Sequence, residues 1–145
     1  MAEADCGAVD GLTLDFNLAN DWWAGTDDTL DIIFGPSYRA TTIEHSPWRG
    51  ETKRKDIDLK YAFGANKVRL RDINLISVLQ EPEPHPITGD YWELQGLFLE
   101  ANCTLSGRTI RVDKYDMVKK WLGTERSYPS VVWTGSFQPR DWNPE

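Results

Sequence analysis

The chain has 145 residues, with 16 Lys plus Arg against 23 Asp plus Glu, for a formal charge of −7. That length suits one domain over residues 1–145, and a chain of this size buries roughly 68–70% of its unfolded surface, enough for a real core. The acidic balance excludes a typical nucleic-acid partner, which needs a basic face, and no apolar run approaches the roughly 20 residues of a membrane-spanning helix.

The opening Met1–Cys6 is acidic and lacks the apolar stretch of a signal peptide. The chain is then either intracellular or a mature secreted protein with an added methionine. Leu12, Leu14, Phe16 and Leu18 alternate with Thr13, Asp15 and Asn17, the period of a strand with one wet face. Thr29 to Phe34 predicts a second strand, stopped by Gly35-Pro36. A third is expected near Tyr38 to Ile43, and a fourth where Ile57, Leu59, Tyr61 and Phe63 alternate with polar or small residues. Val68 and Leu70 occupy even positions but Ile73 and Leu75 odd ones, so a bulge or bend is expected around Arg71-Asp72.

Three prolines between Pro82 and Pro86 mark a loop, because proline cannot donate to a sheet ladder. Tyr91 to Ala101 reads as the next strand. Asp113 and Asp116 resemble a weak capping box, Met117, Val118, Trp121 and Leu122 an apolar helical face, and Gly123 a C-terminal glycine, so one short helix is predicted near residues 114–122. Val131-Val132-Trp133 predicts a last strand, and the tail should fold back to cover Trp142. Trp92, Trp121 and Trp133 are read as core. Short strands with frequent turns imply an all-β antiparallel sandwich.

Cys6 and Cys103 are the two cysteines, too far apart for a CxxC redox or zinc motif. They are either two buried thiols or one disulfide tying the N-terminal segment to a late strand. The disulfide brings with it a secreted location.

The run Trp23-Ala24-Gly25-Thr26-Asp27-Asp28-Thr29-Leu30 lies between the first two strands. It resembles the Ala-Gly-Thr-Asp signature of PLAT domains (polycystin, lipoxygenase, α-toxin; also called LH2). Trp48-Arg49-Gly50 before an alternating segment, the strand Val68 to Ile73, and Gly89-Asp90-Tyr91-Trp92-Glu93-Leu94 follow in the same order as in that family. Val112-Asp113-Lys114 and Trp121-Leu122 resemble the closing segment of its clostridial phospholipase C-type members. The likeness covers a core of residues 11–122, leaving 123–145 as a C-terminal extension. There, Val132-Trp133-Thr134-Gly135 and Asp141-Trp142 resemble extensions on secreted fungal enterotoxin-like proteins.

The resemblance implies an eight-stranded sandwich of two four-stranded sheets. It also implies a non-catalytic module of a secreted protein that docks onto membrane lipid or a protein partner, such as one carrying a catalytic toxin or lipase domain in the full-length product. In some members Ca²⁺ assists. Positions matching the metal ligands are Gly25, Thr26, Asp27 and Asp90, with Asp21 as a substitute where Trp23 replaces an expected Asp. Calcium needs six to eight oxygen ligands, and the basic run after Gly50 departs from the family's second-ion loop. The alternative is that Asp27 and Asp28 cap turn amides.

Trp22 and Trp23 fall at the tip of that loop, where extended neighbours point opposite ways, so one of them at least should reach the surface. Lys53, Arg54 and Lys55 form the one concentrated basic run, either a solvated loop or a face for anionic headgroups. A freestanding secreted effector or lectin-like protein, gripping a protein or glycan with the same loops, is the competing reading. Enzymatic motifs are missing around His45 and His85: neither a GxSxG elbow nor an HExxH helix accompanies them.

Overall fold

A computed structural model describes residues 3–35, 39–83 and 90–144. Its strands, in chain order, are β1 (Ala8–Leu18), β2 (Thr29–Phe34), β3 (Ala40–His45), β4 (Thr52–Asp56), β5 (Val68–Arg69), β6 (Leu75–Glu81), β7 (Asp90–Cys103), β8 (Thr109–Tyr115), β9 (Lys120–Thr124), β10 (Ser130–Ser136) and β11 (Asn143–Pro144). Two short helices, α1 (Glu3–Cys6) and α2 (Leu59–Phe63), interrupt them. The larger sheet has the order β11-β8-β7-β1-β4, with β5 beside the start of β1 and β9 beside the start of β7. The smaller sheet runs β10-β6-β2-β3, and every pairing in both sheets is antiparallel.

The fold is therefore the all-β antiparallel sandwich that the period-two pattern predicts. Leu12, Leu14, Phe16 and Leu18 of β1 face Leu30, Ile32 and Phe34 of β2 across a core that also holds Trp92, Leu94, Ile76 and Val78. Its sheets carry seven and four strands rather than four and four, because short pairings at β5, β9 and β11 extend the larger one. The bend around Arg71-Asp72 is a 3₁₀ turn over Leu70–Asp72 that changes the face between β5 and β6. The tail folds back as expected: Trp142 is fully buried, and Phe137 packs between it and Tyr115.

Three expectations are corrected. Residues 114–122 do not form a helix. They are the end of β8, a turn in which Lys119 has a φ of 47°, and the start of β9. Gly123 is not a helix terminus; it lies in β9 against the ring of Tyr91, where a Cβ would collide with that ring and with the Asp90 carbonyl. Trp121 is accordingly half exposed on the outer face opposite Glu93, not in the core.

Residues 57–63 are not a strand: β4 ends at Asp56, and α2 takes over from Leu59. The Asp58 carboxylate accepts the Tyr61 N–H at 3.1 Å as its N-cap, and Gly64, with a φ of 83°, closes its other end. Leu59 and Ala62, three positions apart, are the residues it buries. The third strand begins at Ala40, and Tyr38, like His85 and Gly89, lies outside the described residues.

Cys6 and Cys103 are bonded, with Cα atoms 4.7 Å apart, which fastens α1 to the end of β7. No helix among the described residues is long and apolar enough to cross a membrane.

Candidate functional site

At the end of the sandwich where β1 stops, the connections 19–28 and 46–51 lie side by side against the start of β7. Backbone bonds lock them together: Thr26 N–H donates to the Pro47 carbonyl at 3.1 Å, Gly50 N–H to Ala19 at 2.8 Å, and Glu93 N–H to Ala24 at 3.1 Å. Gly25 is required by the closeness of this approach. A Cβ there would stand 2.9 Å from the Pro47 carbonyl oxygen and 3.0 Å from the Arg49 nitrogen.

A cleft of about 430 Å³ opens between these loops, walled by Trp22, Trp23, Trp48 and Tyr91 with Arg49 and Asp27 among its polar residues. Trp22, Trp23 and Trp48 are 66%, 78% and 72% exposed. Trp22 and Trp23 meet edge to face with ring centroids 5.8 Å apart, and the Arg49 guanidinium lies 4.8 Å from the Trp22 ring centroid. Trp23 and Ser46 hold φ values of 68° and 50°, unusual for residues with a Cβ. Such outliers cost energy and persist where surrounding structure imposes them.

Beneath the rim runs a polar chain. The Thr26 hydroxyl donates to the Asp90 carboxylate at 2.5 Å and accepts the Asp28 N–H at 3.1 Å. The Asp28 carboxylate accepts from the Gln80 amide at 2.8 Å and from the Glu83 N–H at 3.1 Å. Gln80, fully buried, also accepts the Trp92 indole N–H at 3.0 Å. Asp28 thus bridges from its loop to β6 and to Glu83 beyond it, rather than to amides of its own turn.

The residues expected at a calcium site sit in other roles. Asp90 spends one carboxylate oxygen on Thr26 and the Asp27 N–H at 3.1 Å. Asp21 lies 3.4 Å from the Lys119 ammonium, and the neighbouring Glu93 and then Lys119 hold its carboxyl below the usual range. Among the described residues no three of His, Cys, Asp and Glu gather as a metal group would require. Calcium wants six or more converging oxygens, and this donor set does not fit it as it stands.

Lys53, Arg54 and Lys55 form β4, an edge strand, rather than a loop. Arg54 turns to the outer face and is held by Asp15 at 2.9 Å and Glu100 at 3.0 Å, which raise its pKa. Lys53 and Lys55 pair with the inward-facing Phe16 and Leu14, so they line the sandwich's edge. The aromatic cleft does not include any of the three.

Sequence reasoning singled out Trp22 and Trp23 but not Trp48 or Tyr91. Trp48 served only as a landmark ahead of a strand. The available signal was its position between Pro47 and Arg49-Gly50, a turn sequence unable to bury an indole.

No family model and no curated protein matches the chain. Among solved structures it is similar to a lipoxygenase deletion variant, with a TM-score of 0.52 and 15% identity over 88% of this chain. The same lipoxygenase in complex with arachidonate gives the same figures. The fold is PLAT-like. This PLAT-like chain spans 16% of the lipoxygenase it matches, so the likeness concerns the β-sandwich module and not the enzyme's remainder.

Proposed function

We propose that this chain is a non-catalytic docking module of an extracellular protein, attaching to a lipid surface through its aromatic end. The observation that carries the reading is the placement of three exposed indoles, Trp22, Trp23 and Trp48, on two interlocked loops with Arg49 among them. Indoles favour the water–lipid interface, where an apolar ring and a polar N–H are both satisfied. Covering half of an aromatic side chain, on the order of 75 Å², is worth about 2 kcal/mol at 25 cal/mol/Å². Three such rings on one rigid rim offer about 6 kcal/mol before ordering costs. Arg49 supplies a cation at headgroup depth, and the Cys6–Cys103 bond suits an oxidising compartment.

The test is vesicle co-sedimentation with phosphatidylcholine and with mixed anionic vesicles, with and without calcium. The chain should pellet, and a Trp22→Ala/Trp23→Ala/Trp48→Ala variant should not. Absence of pelleting on every vesicle overturns the reading. The cleft itself favours one competitor, because about 430 Å³ with indole walls and the Ser46 hydroxyl suits a sugar ring. Glycan binding without vesicle binding would select that lectin-like alternative.

A further inference from the structure

A second and larger cleft lies at the opposite end of the sandwich. β2 leaves the tryptophan loop at Thr29 and ends at Phe34, and β5 pairs Val68 and Arg69 with Val9 and Ala8, the first residues of β1. Beside them α2 and the turn after it complete a cleft of about 720 Å³. That size falls within the roughly 300–1,000 Å³ of small-molecule sites. Its floor is apolar: Ala62, Phe63 and Val68 line it, and Phe63 packs on Phe34 with ring centroids 5.3 Å apart. A Cβ at Gly35 or Gly64 would meet nothing within 4 Å, so the space above both is open.

The rim carries the opposite sign to the chain as a whole. Arg39, Lys67 and Arg69, all exposed, line the cleft, and among the described residues Asp72 is its one acid. Asp72, 3.2 Å from Arg69, answers one of those charges, which leaves the lining residues with a positive excess in a protein of formal charge −7. Tyr61 holds Arg39 in place. The Arg39 guanidinium lies 5.6 Å from the Tyr61 ring centroid and donates to the Tyr61 carbonyl at 3.4 Å, while the Tyr61 hydroxyl donates to the Ala40 carbonyl at 3.3 Å. Guanidinium and ammonium donors above an apolar floor complement a compact oxyanion attached to a hydrocarbon.

We propose that this cleft binds a single-chain anionic amphiphile, taken from solution as a monomer: the hydrocarbon lies on Ala62, Phe63 and Val68, and the oxyanion head meets Arg39 and Lys67. Charge selects the head, and the apolar floor selects a chain over a bare inorganic anion. The cleft lies at the far end of β1's eleven residues from Trp22, Trp23 and Trp48. Under the docking reading a bilayer met by the indoles is out of its reach, which favours a free monomer over a membrane headgroup. The site itself stands apart from that reading, because the two clefts share no lining residue.

The experiment titrates the full chain with octyl phosphate below its micellar concentration, followed by calorimetry and by amide shifts of residues 61–69. Octyl phosphate should bind about fivefold more tightly than hexyl phosphate, the difference being two methylenes on the floor. Octyl glucoside and inorganic phosphate should each bind at least about tenfold more weakly than octyl phosphate. Arg39→Gln/Lys67→Gln and, separately, Ala65→Glu should each cost about tenfold. Ala65 is an exposed lining residue, so its variant should fold even where the double variant does not. Trp22→Ala/Trp23→Ala/Trp48→Ala should bind octyl phosphate unchanged. No binding of octyl phosphate, equal binding of octyl glucoside or inorganic phosphate, or indifference to the cleft substitutions overturns the site and leaves docking intact. Loss of octyl phosphate binding in the tryptophan variant moves the amphiphile to the aromatic end and overturns the site as well. Loss of vesicle pelleting in Arg39→Gln/Lys67→Gln would show the cleft meeting the membrane and overturn the free monomer. A chain that never pellets yet binds octyl phosphate overturns docking and leaves the site standing.

Discussion

The indole N–H of Trp92 donates to Oε1 of Gln80 at 3.0 Å, so one side chain from each sheet meets in a buried polar contact between the two sheets. The same Gln80 amide donates to Asp28 and to the Asp90 carbonyl, which couples the core to the loop that carries the tryptophans. A Gln80→Leu change fills the volume but leaves a buried indole N–H and part of a buried carboxylate without partners. The expected loss is about 2–4 kcal/mol, measured by urea unfolding, with amide protection falling over residues 26–28.

Trp48 separates surface function from packing. Being 72% exposed, it contributes little to the fold. Trp48→Ala should change unfolding free energy by less than about 0.5 kcal/mol while reducing vesicle binding about fivefold or more. Trp92→Ala, at the opposite extreme, should lose about 3–5 kcal/mol of stability.

Arg54 provides the matching control. Its contacts are with Asp15 and Glu100 on the outer face of the larger sheet. Arg54→Gln should leave vesicle pelleting unchanged and lower stability by at most about 1 kcal/mol, because the guanidinium is largely solvated. Salt should shrink that difference. A loss of binding in this variant would return the basic strand to the docking surface.

Asp31 and Glu44 give the stability a direction with pH. Both carboxyls are raised to about 7, Asp31 by burial and then Glu81, Glu44 by burial and then Glu51. A raised carboxyl pKa means the folded state holds a proton that the unfolded chain releases near pH 4. The contribution is therefore complete below that range and is lost as pH rises through about 7. Thermal melts should fall between about pH 5 and about pH 7.5, and Asp31→Asn should flatten that slope.

The Cys6–Cys103 bond closes a loop with a sequence separation of 97. In the chain-entropy account, constraining the unfolded state over that length is worth about 4–5 kcal/mol. Reduction, or Cys6→Ser/Cys103→Ser, should lower the melting temperature sharply without altering vesicle affinity at temperatures where the chain stays folded.

Much of the fold was legible because alternation with period two is imposed by burying one face of a strand, as along Leu12–Leu18 and Thr29–Phe34. Where short segments satisfied two periods, the pattern misled. Met117, Val118, Trp121 and Leu122 fit a helical stripe, yet in β9, which pairs with the start of β7, the outward Trp121 and inward Leu122 simply alternate. Ile57 to Phe63 failed in the opposite sense: it alternates like a strand, but Asp58 and Gly64 are a helix's two caps. The candidate loop was legible from Trp22 to Asp28. Its partners Trp48, Arg49 and Tyr91 were not, because they reach it only through backbone contacts between segments distant in sequence.

The span of β1 sets the distance between the two ends of the sandwich. Its eleven residues, at 3.3 Å each, extend about 36 Å from the stapled end near Cys6 to Leu18 beside the tryptophan loop. If the chain docks through its indoles as proposed, a fluorophore attached ahead of Cys6 would be held at roughly that height above the docking surface. The sandwich would then act as a rigid stand-off, keeping the fluorophore clear of the headgroups.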